Sequence, residues 1–305
     1  MHDRARWDLP WRPKCGHDVG TVRGEEAGRH SQSPPVGARI DRRYAADVAN
    51  EDDDEKEERG GTPASVGLSV IRARDVPIAL VFRRGPTKQV RMVRWDMRTD
   101  EFQRGQWFAG RVYPYACELS PDGTYVDYQG TRRGNTWRAI TKLPYFTPLA
   151  VWGATGWESS TGQPVPAWVP REPVHRMWPR GPMARDGFAP IEDAAPYRQR
   201  SEHRTVAGVE LQRRDATPVM DGYASWTDRH SFVYRVVDRR SEAAYELGTA
   251  DWAEWHPSGD IVVASDGTIS RIPITRRGPG KPCVIADFTD ETFEKLPPPP
   301  DATRW

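Results

Sequence analysis

Two segments with the same turn pattern constrain the fold of this chain more than any other feature. Segment 119–128 reads LSPDGTYVDY and segment 255–264 reads WHPSGDIVVA. In each, proline fixes φ at the second position of the turn, and the following glycine supplies the left-handed conformation that closes it. Alternating strand residues come next. The pattern predicts antiparallel hairpins, which are the building units of blade-like β proteins.

Several further segments have the composition of strands. Residues 76–82 and 90–96 read as a buried strand and its returning partner, and 232–237 is a third apolar run with β-branched residues. Residues 261–264 and 269–274 flank the dipeptide Asp266-Gly267, which is typical of a two-residue hairpin turn. The fold class predicted from these elements is all-β.

The composition limits how much of the 305 residues can form this core. Hydrophobic residues make up 37%, below the globular share of about 45%. We predict a disordered tail over 1–65, which contains the acidic block EDDDEKEE. A β domain is predicted over 66–296. Residues 153–207 are expected to be an irregular insertion because they are rich in Pro, Arg, Trp and Gly, and 297–305 a Pro-rich tail.

The spacing of the two turns suggests a repeat. Pro121 and Pro257 are separated by about three units of roughly 45 residues, which is the length of a four-stranded propeller blade. We therefore expect a small or degenerate β-propeller of about five blades.

Ser120-Pro121-Asp122-Gly123 with the strand after it resembles the blade turns of TolB-like and WD-type β-propellers. A longer stretch, about 70 to 155, resembles an uncharacterised bacterial protein family. Its matching segments include Phe82-Arg83-Arg84-Gly85-Pro86, Arg94-Trp95-Asp96, Gly105-Gln106-Trp107-Phe108, Gly110-Arg111-Val112-Tyr113 and Thr136-Trp137-Arg138-Ala139-Ile140. The resemblance implies a propeller-like fold and carries no catalytic residue.

Charge and cysteine content restrict the partners and the compartment. The net charge is +1, which argues against nucleic acid and against an anionic membrane as partner. Three widely spaced cysteines fit a reducing compartment. With no apolar stretch of 18 residues and a charged N-terminus, a cytoplasmic protein is expected. No cofactor is predicted.

The residues that could carry catalysis or bind metal all have a simpler interpretation. Cys117 lies in a predicted strand and is interpreted as a buried thiol. The carboxylates Asp251 and Glu254 could form an acid–base pair, but acids in surface turns are far commoner. His256 is expected to cap its own turn. A lone Cys-Gly-His at 15–17 has no second ligand pair, so no metal site is predicted.

Aromatic and arginine side chains favour a binding function, because these residue types dominate binding hot spots. The alternative is that the tryptophans fill the core between sheets. The candidate binding residues are Trp95, Trp107, Arg111, Tyr113, Trp137 and Tyr145.

The function expected from these features is a non-catalytic scaffold that binds a protein partner. A carboxylate-dependent hydrolase, or a propeller that binds a glycan or senses another ligand, is the alternative.

Overall fold

A computed structural model describes residues 66–85, 88–153, 188–190, 199–202, 206–216 and 231–305. Within these ranges the chain is all-β, with four antiparallel sheets of four or five strands and one two-stranded hairpin. The same residues contain no helix with the length and apolar content that crossing a membrane requires. The predicted tail 1–65 lies outside the described residues.

The first sheet is a simple meander in which each strand pairs with the next in sequence. The predicted strand and its returning partner are confirmed as β2 and β3. Every residue of β2 from Ile78 to Arg83 is buried, because other sheets cover both faces of this sheet. Its strands are β1 (Gly67–Arg72), β2 (Ile78–Arg84), β3 (Gln89–Asp96) and β4 (Glu101–Ala109).

The second sheet is built around the first Pro-containing turn. Its strand order is β5-β7-β8-β9, and β6 also pairs with β7. A 3-10 helix at Pro114–Ala116 separates the two short strands β5 and β6. The strands are β5 (Arg111–Val112), β6 (Glu118–Leu119), β7 (Tyr125–Arg132), β8 (Asn135–Lys142) and β9 (Pro148–Gly153).

The third sheet pairs five strands in sequence order. Its first two strands come from the stretch 153–207 that was predicted to be irregular, so this part of the stretch forms paired strands. Residues 154–187, 191–198 and 203–205 of that stretch lie outside the described residues. The strands are β10 (Ala189–Pro190), β11 (Gln199–Glu202), β12 (Val209–Asp215), β13 (Phe232–Asp238) and β14 (Ala243–Ala250).

The fourth sheet contains the second Pro-containing turn and has the order β15-β16-β17-β20. The predicted hairpin at Asp266-Gly267 is confirmed, with φ of 51° and 79° at these two residues. Ile274–Thr275 and Gly278–Pro279 pair with each other as a separate two-stranded hairpin. The strands are β15 (Trp252–Trp255), β16 (Ile261–Ser265), β17 (Thr268–Ile272), β18 (Ile274–Thr275), β19 (Gly278–Pro279) and β20 (Cys283–Asp287).

The sheets share their cores face to face. Alternate residues of β2 point to opposite sides: Leu80 joins a core with the second sheet, and Val81 joins a core with the fourth sheet. The fourth sheet uses its other face, including Trp255 and Ile261, to pack against the third sheet. The last sheet in sequence thus packs against the first.

The C-terminal residues return across the first two sheets. Residues 297–305 were predicted to be a tail outside the domain, but they pack against it. Pro300–Thr303 form a 3-10 helix whose Ala302 is fully buried. Lys142 Nζ of the second sheet donates to the Asp301 carbonyl at 3.0 Å. The segment packs on strands that are distant in sequence, and its proline-rich composition does not predict such a contact, which explains the difference.

Candidate functional site

A charged cluster joins the first sheet to the fourth. Asp100, at the end of the β3–β4 turn, has a left-handed backbone with φ of 57°. Its Oδ1 accepts a hydrogen bond from Trp95 Nε1 at 3.2 Å. Its Oδ2 forms an ion pair with Arg271 of β17. The carboxylate of one sheet is therefore neutralised by a guanidinium of the other.

His256 lies in the middle of this cluster and is only 3% exposed. Its Nδ1 accepts the backbone N–H of Ser258 at 3.1 Å, which confirms the predicted cap. Its Nε2 lies 2.6 Å from Arg271 Nη2 and 3.5 Å from Asp100 Oδ1. Ser258 Oγ donates to Asp260 Oδ2 at 2.9 Å.

These residues have the composition of a nucleophilic or acid–base site, with a serine, a histidine and two carboxylates. The geometry does not support that chemistry. Ser258 Oγ lies 2.8 Å from His256 Nδ1, but it donates its single proton to Asp260, and the same Nδ1 accepts the turn amide. Both His256 and Arg271 are buried, and Arg271 faces both carboxylates. The arrangement is suited to holding two sheets together.

The carboxylates considered as an acid–base pair serve a similar purpose. Asp251 Oδ2 accepts the backbone N–H of Leu68 at 3.0 Å, and Glu254 forms an ion pair with Arg72. Arg72 Nη1 also donates to the Trp255 carbonyl at 3.3 Å. Both acids therefore tie β15 of the fourth sheet to β1 of the first.

The prediction of a buried thiol at Cys117 is confirmed. Burial raises the pKa of this thiol to about 12, so it is a poor nucleophile at neutral pH. Its Sγ donates to the Tyr113 carbonyl at 3.1 Å. Nearby, Asp127 and Arg138 form a buried ion pair with two hydrogen bonds. Among the described residues, no group of three His, Cys, Asp or Glu side chains is arranged to hold a metal ion.

The predicted binding residues lie in different environments. Trp95 is fully buried between the first and fourth sheets, stacked on Phe102 at 5.2 Å. Trp107 is 8% exposed, and the guanidiniums of Arg83 and Arg91 lie 5.2 and 5.5 Å from its ring. Their burial is consistent with the alternative that tryptophans fill the core.

The other four candidates belong mainly to the second sheet. Trp137 is half-buried in the core between the first two sheets, edge-on to Phe108 at 5.7 Å. Arg111 is exposed, while Tyr113 and Tyr145 are half-buried. Because Trp95 and Trp137 contribute to separate cores, the six residues do not form one continuous surface. A binding role for the accessible ones stays a prediction.

No local pattern in the sequence indicated the contact between the first sheet and the segment that follows β20. Glu291, beyond β20, pairs with Arg104 at 2.6 Å and with Arg91 at 3.1 Å. Arg83 Nη2 donates to the Glu291 carbonyl at 2.9 Å. These partners are about two hundred positions apart in the chain, and no local spacing rule links such residues.

Comparison with known proteins adds no identity. No family model matches the chain, and no curated protein matches it. Three similar solved structures are the tricorn protease (13% identity, 73% of this chain and 22% of that one, TM-score 0.25), an uncharacterized protein of Listeria monocytogenes (8%, 72% and 63%, 0.25) and TolB from Acinetobacter baumannii (12%, 67% and 50%, 0.24). The chain spans less than two thirds of each. TM-scores this low do not assign a fold, so the fold is described from the pairing and packing of the sheets alone.

Proposed function

We propose that this chain is a non-catalytic, β-propeller-like scaffold of the cytoplasm that binds a protein partner. The first sheet packs against the second and the fourth, and the fourth packs against the third, as expected if sheets are arranged around an axis. One strand of each sheet also approaches a strand of a neighbouring sheet: β1 contacts β6 and β15, and β15 contacts β11. The expected number of about five blades remains part of this proposal.

The pairing of the ionisable groups is the observation that carries the non-catalytic function. A hydrolase needs a carboxylate or histidine that can reach a substrate. The described acids that lie near one another are already paired. Asp100 and Glu254 form ion pairs with arginines, and Asp260 and Asp251 accept hydrogen bonds. These groups stabilise contacts between sheets.

The outer strand of the fourth sheet offers a surface for a partner. In the described part of the chain, β20 pairs only with β17. Its Val284 is 59% exposed, more than any other large hydrophobic side chain that the structure describes. A sheet edge with an outward apolar residue can accept a strand from another protein. We propose that the partner adds a strand at this edge.

Capture with cross-linking tests this surface. The tagged chain, Val284→Lys and the control Asn135→Lys, at the exposed first residue of β8, are compared in lysate of the source cells by quantitative mass spectrometry. We expect one specific protein to be enriched equally by the native chain and the control, and at least tenfold less by Val284→Lys. Equal recovery with Val284→Lys would exclude this edge, and absence of any enriched protein would contradict the scaffold function.

The alternative function is a carboxylate-dependent hydrolase that uses Asp100, His256 and Asp260. Its support is the composition of the cluster, and the burial of His256 argues against it. A panel of chromogenic esters and glycosides, assayed between pH 4 and 8, distinguishes the two. Turnover that disappears in Asp260→Asn, with folding unchanged, would favour the hydrolase.

A further inference from the structure

The last ten residues of the chain lie against the first and second sheets in the manner of a bound peptide. Gln106 Nε2 of β4 donates to the Leu296 carbonyl at 3.1 Å. Lys142 Nζ of β8 donates to the Asp301 carbonyl at 3.0 Å. Both donors are side chains of the sheets, and both acceptors are backbone carbonyls. These two contacts do not involve the side chains of the segment.

The conformation of the segment suits such recognition. Four consecutive prolines occupy 297–300, and Pro299 has φ of −67° and ψ of 157°. These values are those of the polyproline II conformation, which a proline-rich segment adopts before binding, so that little entropy is lost. The following 3-10 turn inserts Ala302, which is fully buried.

The receiving surface is held in place by its own hydrogen bonds. The Oε1 of Gln106 accepts the Phe146 backbone N–H at 2.8 Å and the Thr147 hydroxyl at 3.1 Å. These bonds orient the side-chain amide so that Nε2 faces the segment. The hydroxyl of the half-buried Tyr145 accepts a hydrogen bond from Gln103 Nε2 of β4 at 3.4 Å, and burial and then the nearby Asp301 raise the pKa of Tyr145 above its ordinary range.

The residues before this segment are held more extensively than the segment itself. Arg83 donates to the carbonyls of Phe288, Thr289 and Glu291. Within the segment, Trp305 lies 5.6 Å from the ring of Tyr125 but is 49% exposed. The segment is therefore joined to the sheets by fewer hydrogen bonds than the residues that precede it.

We propose that the surface formed by Gln106, Lys142, Tyr145 and Tyr125 is a docking site for a proline-rich peptide of a partner protein, and that residues 296–305 occupy it as an internal competitor. The inference rests on the proposed scaffold function and names the chemistry of a second contact. The partner segment is a polyproline II stretch followed by a small residue and then an aromatic one. A tethered competitor acts at an effective concentration near the millimolar range, so a partner binds well only when this end is displaced.

Full-length variants test the competition. Ala302→Arg places a large cation where the alanine is buried and should release the end of the chain. The probe is a fluorescent synthetic peptide with the sequence LPPPPDATRW, and binding is followed by anisotropy. We expect the Ala302→Arg chain to bind it at least tenfold more tightly than the native chain does. The control Arg304→Ala, at an exposed neighbouring position, should bind it as the native chain does.

Two further comparisons keep the result decisive. Adding Gln106→Ala to Ala302→Arg should weaken binding several-fold, and a probe that carries arginine at the position of Ala302 should not bind. If Ala302→Arg alters the melting temperature, a Pro298→Gly/Pro299→Gly chain serves as the released form. If the folded, released chain binds the probe with a dissociation constant above about 1 mM, the proposed docking site is wrong. That failure would leave partner capture through Val284 unaffected, so the two proposals fail separately.

Discussion

The two Pro-containing turns have the same backbone but connect to the first sheet by different means. In both, the glycine N–H donates to the carbonyl of the first turn residue, at 2.8 Å in Ser120–Gly123 and 2.9 Å in His256–Gly259. Both glycines are left-handed, with φ of 71° and 88°. The local pattern therefore fixes the turn in each sheet.

The first turn contacts the first sheet through its backbone. Ser120 Oγ accepts the N–H groups of Thr124 at 3.0 Å and Tyr125 at 2.8 Å, so its side chain bonds within the turn. The Pro121 carbonyl accepts the Asp75 N–H at 3.0 Å. The second turn instead uses His256, beside Arg271 and Asp100. The first turn is thus joined to the first sheet by a backbone hydrogen bond, and the second by the charged groups around His256. The residue at the first position of the turn, Ser120 or His256, makes this difference.

Removing the cation of the charged junction should have the largest effect. Arg271→Ala leaves Asp100 partly buried without its ion pair, which is expected to lower the free energy of unfolding by about 3–5 kcal/mol. Urea denaturation measures this change. Arg276→Ala, at an exposed position, is the control and should shift it by less than about 0.5 kcal/mol. A small loss in Arg271→Ala would mean that charge does not hold this junction.

Filling the close contact of the first turn should have the next largest effect. A Cβ at Gly123 would lie 2.8 Å from Ile78 Cβ, and the left-handed φ is strained for any other residue. Gly123→Ala is expected to lower the free energy of unfolding by about 2–4 kcal/mol. Gly134→Ala has a similar φ of 79° and open space around it, so its loss of about 1 kcal/mol isolates the strain. Equal losses would show that the junction tolerates the added methyl.

Exchanging the first residue of the second turn tests whether one side chain makes the difference. His256→Ser should keep the turn but remove the contacts with Asp100 and Arg271, with a loss of about 1–3 kcal/mol. In a double-mutant cycle with Asp100→Asn, the two losses should be non-additive by more than about 0.5 kcal/mol, because the residues share one network. Additive losses in thermal or urea unfolding would contradict a shared network.

The smallest expected effect concerns acid stability of the first turn. Burial alone would raise the pKa of Asp122, but hydrogen bonds from Ser120 and Thr124 hold it below its ordinary range. A carboxyl whose pKa is lowered on folding stabilises the folded state above its unfolded pKa, and this stabilisation is lost as the pH falls through the folded pKa. Asp122→Asn should therefore reduce the fall in melting temperature below about pH 4. If the melting temperature of Asp122→Asn falls with pH as it does in the native chain, Asp122 does not contribute to acid stability.

Features that depend on neighbours in sequence were predictable. Prolines and glycines restrict φ locally, so both turns and the hairpin at 266–267 followed from the chain alone. Successive side chains of a strand point to opposite faces. An uninterrupted apolar run, as in β2, therefore predicted a strand that is buried on both faces. The cap by His256 also depends only on the next two residues.

The candidate site was less predictable. Tryptophan is common both in cores and at interfaces. The sequence alone therefore made Trp95 a candidate binding residue, although it is fully buried. It also treated 297–305 as a tail, since proline-rich composition gives no indication of a receiving surface. Gln106 and Lys142, which hold that segment, have no distinguishing local pattern.

The sequence by itself determined the turns, the strands and the all-β class, because backbone preference and side-chain alternation act over a few residues. Only the tertiary structure decided which charges meet. Arg271 pairs with Asp100, and Arg91 with Glu291, across separations at which sequence spacing is uninformative. Ion pairs and hydrogen bonds form only within a few ångströms, and the packing of the sheets sets that proximity.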